Sequence, residues 1–140
     1  TTEGRARTRQ VLKRLLRLEL HCDSLLSSPF IRARQTAELA LQLGLGDTLN
    51  VRDELAPGQD PLPLLQELLA EEWKRVALFA HEPDLSQLAS HLLGCSTNSL
   101  QLKKAGVALV ELEPGLPQLE PGNGQLKLLL SPKVLLEGKK

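Results

Sequence analysis

Two arginines follow a serine-proline step in segment 27–36, which reads SSPFIRARQT. An apolar pair stops at this step and a helical pattern begins. This predicts a strand-to-helix turn with Ser28 as the cap and Pro29 at the first helical position. The free N–H groups of such a helix start bind oxyanions, and an arginine fork fits phosphate with two hydrogen bonds. The segment therefore predicts either a phosphate site or a solvated basic helix start.

Arg32 and Arg34 cannot both face such a site. A separation of two residues turns their side chains about 200° apart on a helix. One arginine is a ligand candidate and the other lies on the surface, and periodicity leaves the choice between them open.

A histidine, His81, follows the apolar run 76–80. A continuous apolar run bounded by polar residues predicts a central strand that is covered on both faces. Open α/β sheets bind ligands beyond the carboxyl ends of their strands, which is where His81 lies. Asp84 opens a variant of the capping box and predicts a helix that ends at Gly94. A lone histidine is more often structural, so these residues alone leave its role open.

Segment 28–37 resembles the second arginine motif of the histidine phosphatase superfamily, whose fold is phosphoglycerate mutase-like. That motif has Ser-Pro, two mostly apolar residues, and then Arg-Ala-x-Gln-Thr. Three further segments are similar to motifs of the SixA-type phosphohistidine phosphatase branch. Residues 1–5 resemble the Leu-Thr-x-x-Gly of its first long helix, 80–83 the strand end with its second active-site histidine, and 102–106 the lead-in to a late strand.

The resemblance implies roles for particular residues. Arg32 would hold the phosphoryl group, His81 would donate a further hydrogen bond to it, and Glu82 would lie beside His81 in the phosphate site. No metal or other cofactor is implied. Phosphoryl transfer would be catalysed by positioning and by charged hydrogen bonds that strengthen in the transition state.

The resemblance also concerns a general acid. A glutamate serves as the acid in the wider superfamily, and alignment through Leu55 puts Pro57 at its position. The phosphohistidine branch does without that acid. Glu54 remains a weak substitute candidate, although a surface carboxylate beside a turn is the expected role.

The nucleophile of the family is the histidine of an Arg-His-Gly motif on the first strand, and no Arg-His-Gly occurs in these 140 residues. The sequence begins inside the later Leu-Thr-x-x-Gly motif. We therefore expect the N-terminal strand, which lies in the middle of the family's sheet, to be missing here. For the same reason we expect the fragment to be inactive.

Three functions are compatible with the resemblance. The first is a phosphohistidine phosphatase that removes phosphate from a phosphotransfer signalling protein through a covalent phosphohistidine intermediate. The second is a small-molecule phosphomonoesterase, which would need a carboxylic acid near the phosphate. The third is a non-catalytic phosphate-binding module, which follows if the nucleophile is truly absent.

Composition limits the partners. Formal net charge is zero and aromatic residues make up 2% of the chain, so neither a nucleic-acid nor a membrane partner is expected. The absence of a signal peptide and of a spanning apolar run indicates a cytoplasmic protein, which we expect to be a monomer. Both cysteines are expected to be buried, reduced thiols. His91 and Cys95 have metal-like spacing, but no further ligand accompanies them, so no metal is expected.

The first helix has a basic outer face. It could meet an acidic protein partner, although a solvated helix face is the default expectation. The basic residues are Arg5, Arg7, Arg9, Lys13, Arg14 and Arg17.

Helical and strand patterns alternate up to Gly94, which predicts an α/β fold with a largely parallel sheet. With the resemblance, the predicted class is a phosphoglycerate mutase-like three-layer α/β/α sandwich. We expect one domain over 1–134 and a frayed C-terminal tail over 135–140. Predicted helices are 1–20, 29–43, 62–73 and 84–94, and predicted strands are 23–27, 49–52, 76–80, 107–112 and 125–130, with a loop over 114–124.

Overall fold

Helices alternate with strands as far as the fourth helix in the computed structural model, which describes residues 2–71, 73–97, 99–112 and 116–137. This confirms the α/β class. The helices are α1 (Thr2–Arg17), α2 (Ile31–Leu43), α3 (Leu62–Leu69), α4 (Asp84–Leu93) and α5 (Pro132–Glu137). The strands are β1 (Ser24–Ser27), β2 (Leu49–Val51), β3 (Val76–Phe79), β4 (Val107–Leu112) and β5 (Gly124–Leu130), and a 3-10 turn covers Asp53–Leu55.

The first three strands form a parallel sheet in the order β2-β1-β3. All four residues of β1 are buried, so β1 is the central strand. The apolar run that forms β3 lies beside it, but its residues are only half-buried, which differs from the predicted strand covered on both faces. Strands β4 and β5 make a separate antiparallel pair.

Apolar side chains cover both faces of this sheet, and consecutive residues of β1 point to opposite faces. Leu25 is fully buried in one cluster with Val11 and Leu15 of α1. Leu26 packs in another cluster with Leu64 of α3. Each fully buried leucine contributes about 1.5 to 3 kcal/mol relative to an exposed one. The sheet therefore lies between two helical layers, as the predicted sandwich requires.

The two sheets share apolar clusters but no backbone pairing among the described residues. Phe79 of β3 and Val107 of β4 pack against one cluster. Leu78 and Val110 pack against another. Strand β3 pairs with β1 alone and β4 with β5 alone, so each has one edge without a strand partner in the part of the chain that the structure describes.

Several predicted boundaries need correction. Helix α2 begins at Ile31 instead of Pro29, and α3 ends at Leu69, short of residue 73. The predicted C-terminal tail is not frayed over 135–137, because these residues form the end of α5, in which Leu135 is buried at 4% exposure. Thr1, residues 138–140 and positions 114 and 115 of the predicted loop lie outside the described residues.

The two cysteines differ in exposure. Both are free thiols, but Cys22 is buried and Cys95 is exposed, so the prediction of two buried thiols is wrong for Cys95. The reason is that Cys95 follows Gly94, where the left-handed backbone ends α4 and turns the chain outward. No described helix is long and apolar enough to cross a membrane.

Candidate active site

The candidate site lies at the carboxyl ends of the parallel strands. Ser27 is opposite both Val51 of β2 and Phe79 of β3. The ladder continues one step further, because the Ser28 N–H donates to the Phe79 carbonyl at 2.8 Å. Ser28 therefore stands at the end of the central strand, with the segment after β3 directly beside it.

Ser28 contacts His81 across these two strand ends. The Ser28 Oγ lies 2.8 Å from His81 Nε2, and the same oxygen accepts a hydrogen bond of 3.1 Å from the Phe30 N–H. A hydroxyl has one proton and two lone pairs, so it can satisfy both partners at once. Ser28 is completely buried, which holds the half-buried His81 ring at a defined place on the sheet edge.

The two ring nitrogens of His81 differ in their partners. Its Nδ1 makes no hydrogen bond with any described residue. The Phe30 ring lies edge-on to the imidazole, with the ring centroids 5.6 Å apart and the planes at 70°. Two contacts thus fix the imidazole, and Nδ1 can donate to an oxyanion in the tautomer in which Nε2 accepts from the Ser28 hydroxyl.

The helix after Ser28 begins with free donors. Its first internal bond runs from the Arg34 N–H to the Phe30 carbonyl at 3.1 Å, so the N–H groups of Ile31, Arg32 and Ala33 have no acceptor among the described residues. Such donors and the positive end of the helix dipole favour an anion. The predicted cap is partly wrong. The Ser28 hydroxyl accepts from the Phe30 N–H, and Phe30 precedes the first residue of α2, because the helix starts at Ile31 and not at Pro29.

The two arginines of the motif have different surroundings. Arg34 Nε lies 3.6 Å from Glu38 Oε1 in an exposed pair on the outer face of α2. Arg32 is also exposed, yet its guanidinium has no ion-pair partner within the described ranges. Arg34 therefore has a partner on the surface of its own helix, whereas Arg32 is available to a ligand. No hydrogen bond joins Arg32 to His81 in this structure.

Glu82 has a structural contact in this structure. Its Oε2 accepts from the Ser86 N–H at 3.0 Å and its Oε1 from the Ser86 hydroxyl, which caps the start of α4. The predicted capping residue Asp84 instead accepts from the Gly58 N–H at 2.9 Å. Because both oxygens of Glu82 are occupied and a carboxylate repels phosphate, its place among the phosphate ligands stays a prediction with no contact in its favour.

Glu54 is held by Arg52, which follows β2. The Arg52 guanidinium lies 2.8 Å and 3.3 Å from the two Glu54 oxygens and 2.7 Å from Glu67 Oε2. These hydrogen bonds lower the pKa of Glu54 below its ordinary value of 4.5. A general acid that works near neutral pH needs a raised pKa, so Glu54 is poorly suited to that role.

The pairing of Ser28 with His81 was missed by the sequence reasoning, which assigned Ser28 only a capping role. A signal was available, since both residues follow the ends of predicted strands. Neighbouring parallel strands bring such ends together, but the sequence does not state which strands are neighbours. Among the described residues, no group of three or more histidine, cysteine, aspartate or glutamate side chains could hold a metal ion.

Comparison with known proteins gives several relatives, although no protein-family model matches the chain. An uncharacterised protein of Picosynechococcus sp. is 38% identical over 143 residues, a match that covers 97% of this chain and 84% of that protein. The solved structure of the protein histidine phosphatase SixA complexed with tungstate is 28% identical, with a TM-score of 0.79, over 94% of this chain and 83% of that one.

More distant structures share the fold. A SixA-type protein from Agrobacterium tumefaciens has a TM-score of 0.70 at 19% identity, over 90% of this chain and 78% of that one. The alpha-ribazole phosphatase from Shigella flexneri has a TM-score of 0.67 at 14% identity, over 94% of this chain and 84% of that one. At these identities the likeness concerns the arrangement of helices and strands alone.

Proposed function

Since this chain belongs to the histidine phosphatase superfamily and resembles its SixA-type branch, we propose that it acts in the hydrolysis of phosphohistidine on a signalling protein. The superfamily supports a phosphatase activity in general. In the proposed reaction the N–P bond of the substrate breaks, the phosphoryl group passes to an enzyme histidine, and water then releases inorganic phosphate. The observation that carries the proposal is the Ser28-held His81 beside the free start of α2.

Arg32 and the first turn of α2 would hold the phosphoryl oxygens. The Arg32 guanidinium, which has no ion-pair partner in the described part of the chain, can present two parallel N–H donors. The N–H groups of Ile31 and Ala33 add fixed dipoles that need no rearrangement. These donors gain most when charge builds up on the equatorial oxygens in the transition state. Arg32 is thus the proposed phosphate-binding residue, and Arg34 is not.

His81 would supply a hydrogen bond to the transferring group. With Nε2 on Ser28 Oγ at 2.8 Å, the ring offers Nδ1 as the donor. The buried serine keeps the ring from rotating away when no ligand is bound, which reduces the entropy lost on binding. His81 is proposed as a catalytic residue and Ser28 as the residue that positions it.

The nucleophile has to come from outside the described strands. No Arg-His-Gly occurs in the sequence, and neither remaining histidine follows a strand of the parallel sheet. Strands β3 and β4 have free edges and share two apolar clusters, so we propose that a strand with the nucleophilic histidine pairs between them. Its carboxyl end would then lie next to His81.

The proposed substrate class depends on the general acid, a role for which neither Glu54 nor Pro57 is suited. A phosphate ester releases an alkoxide, which needs a proton from a strong acid. Phosphohistidine releases an imidazole nitrogen that leaves more readily. Glu54 is ionised in its pair with Arg52, and Pro57 stands at the acid position, so the site is better suited to the nitrogen leaving group.

Binding of tungstate, a phosphate mimic, tests the site without any need for the nucleophile. Calorimetric titration of the 140-residue chain should detect binding that Arg32→Ala and His81→Ala each weaken by about tenfold or more, the loss of one charged hydrogen-bonding group. Arg34→Ala is the matched control and should bind as the unchanged chain does. Equal weakening by the two arginine variants would contradict the assignment.

Turnover tests the substrate class. With an Arg-His-Gly strand joined ahead of Thr1, the protein should hydrolyse a phosphohistidine peptide faster than an alkyl phosphate, and it should need no added metal. Faster hydrolysis of the alkyl phosphate would identify a phosphomonoesterase instead. Tungstate binding with no turnover on either substrate would identify a phosphate-binding module.

A further inference from the structure

We infer that the exposed face of α1 binds an acidic surface of the protein that presents the phosphohistidine. The inference rests on the proposed function and extends it from the reacting group to the partner. It depends on a row of cations that have no ion-pair partner among the described residues, and on where the topology puts that row.

The cations form one ridge along α1. Arg5, Arg9, Lys13 and Arg17 recur every four residues, so their side chains follow one another on a single slowly turning face, and all four are exposed. From Arg5 to Arg17 the ridge extends about 18 Å. We call these four residues the α1 ridge. The apolar residues Val11, Leu12 and Leu15 lie on the opposite, buried face.

The α1 ridge has no ion-pair partner among the residues that the structure describes. Residues 1–20 contain six basic and two acidic side chains, and neither Glu3 nor Glu19 makes an ion pair with the ridge. Like charges four residues apart destabilise a helix by about 0.2 to 0.5 kcal/mol per pair. An acidic partner surface would remove this repulsion, so the ridge is a favourable place for one to bind.

The positive charge is local, because the whole chain is formally neutral. Residues 38–84 contain ten acidic and three basic side chains, which balance the basic start of the chain. The α1 ridge is therefore a local concentration of positive charge on a neutral protein, and such a patch is complementary to an acidic protein surface.

The α1 ridge begins on the side of the molecule where the candidate site lies. Helix α1 leads into the amino end of β1, whereas α2 leaves its carboxyl end, so both helices run from the carboxyl edge of the sheet to its amino edge. The start of α1 therefore lies toward the edge that carries Ser28 and His81. Phe30 and Ile31 at the start of α2 are 54% and 70% exposed, and they offer apolar contacts to a macromolecule that covers the site.

Matched peptides test the inference on the 140-residue chain. Each peptide has a central phosphohistidine, flanked on both sides by glutamates in one and by glutamines in the other. Fluorescence anisotropy at low salt should give a dissociation constant about tenfold smaller for the glutamate peptide, and added salt should reduce this difference. The double variant Arg9→Glu with Lys13→Glu should abolish the preference, whereas Lys104→Glu with Lys127→Glu, two exposed lysines elsewhere, should retain it.

The possible results separate the inference from the function on which it rests. Equal binding of the two peptides, or an equal loss in both double variants, would overturn the acidic partner. Tighter binding of a single-stranded oligonucleotide than of the glutamate peptide, or salt-sensitive self-association in sedimentation, would assign the ridge to nucleic acid or to a second copy and would also overturn it. If the glutamate peptide binds equally well without its phosphoryl group and tungstate does not bind, the ridge stands and the proposed function fails.

Discussion

The hydroxyl of Ser28 lies 2.8 Å from Nε2 of His81, although the two residues are 53 positions apart in the chain. The contact joins the ends of two neighbouring parallel strands. The same oxygen also accepts a hydrogen bond from the Phe30 N–H. Ser28 therefore links the turn before α2 to the segment that follows β3.

Replacement of Ser28 by alanine should destabilise the protein and weaken anion binding together. The Phe30 N–H and His81 Nε2 both lose their partner, and the loss of these two part-buried hydrogen bonds should cost about 1 to 3 kcal/mol of unfolding free energy in total. Urea unfolding and tungstate titration measure the two effects. Ser99→Ala, at an exposed serine that pairs with Ser96, is the control and should change neither. A Ser28→Ala protein with unchanged tungstate affinity would show that His81 needs no positioning.

Arg32 and Arg34 should differ in their effect on turnover once an Arg-His-Gly strand is supplied. Arg32→Ala should lower the rate on a phosphohistidine peptide by on the order of a hundredfold, about 3 kcal/mol of transition-state stabilisation. Arg34→Ala breaks only an exposed pair with Glu38 and should cost roughly 0.5 kcal/mol of stability or less. Arg32→Lys should recover part of the activity, because an ammonium cannot reproduce the planar fork. Thermal melts exclude unfolding as the cause.

Glu54 should contribute to stability in a pH-dependent way and not to catalysis. Its folded pKa is lowered, so its pairing with Arg52 stabilises the protein above the ordinary value of 4.5 and is lost as pH falls through the lowered pKa. At neutral pH, Glu54→Gln should therefore lower the free energy of unfolding by about 0.5 to 1 kcal/mol, and this difference should vanish in acid. Glu111→Gln, at an exposed position of β4, is the control. A large loss of phosphohistidine hydrolysis in Glu54→Gln would make Glu54 the acid after all.

The two thiols should react at different rates in the folded protein. Burial raises the pKa of Cys22 to about 11, so this thiol is neutral and shielded at neutral pH, whereas Cys95 is exposed. A chromogenic disulfide reagent should modify one thiol quickly and the second only after unfolding. Cys95→Ser should remove the fast phase. Because the folded pKa of Cys22 lies above its ordinary value of 9.0, its contribution to stability should be lost as pH rises through that range.

The local sequence determined the elements and the candidate residues. Apolar runs predicted β1 and β3, and Gly94 predicted the end of α4. These features depend on neighbours within a few positions, where propensity and periodicity act directly. The Ser-Pro-x-x-Arg pattern likewise singled out Arg32 through its resemblance to a known motif.

The tertiary structure decided which of these residues meet. Ser28 contacts His81 because β1 pairs with β3 in register. Glu82, and not Asp84, accepts from the first turn of α4, while Asp84 accepts from the distant Gly58 N–H. Leu135 forms part of the core because α1 and α2 leave an apolar surface that six further residues can cover. Strand neighbours, register and the burial of a distant segment depend on contacts between remote parts of the chain, and local periodicity carries no information about them.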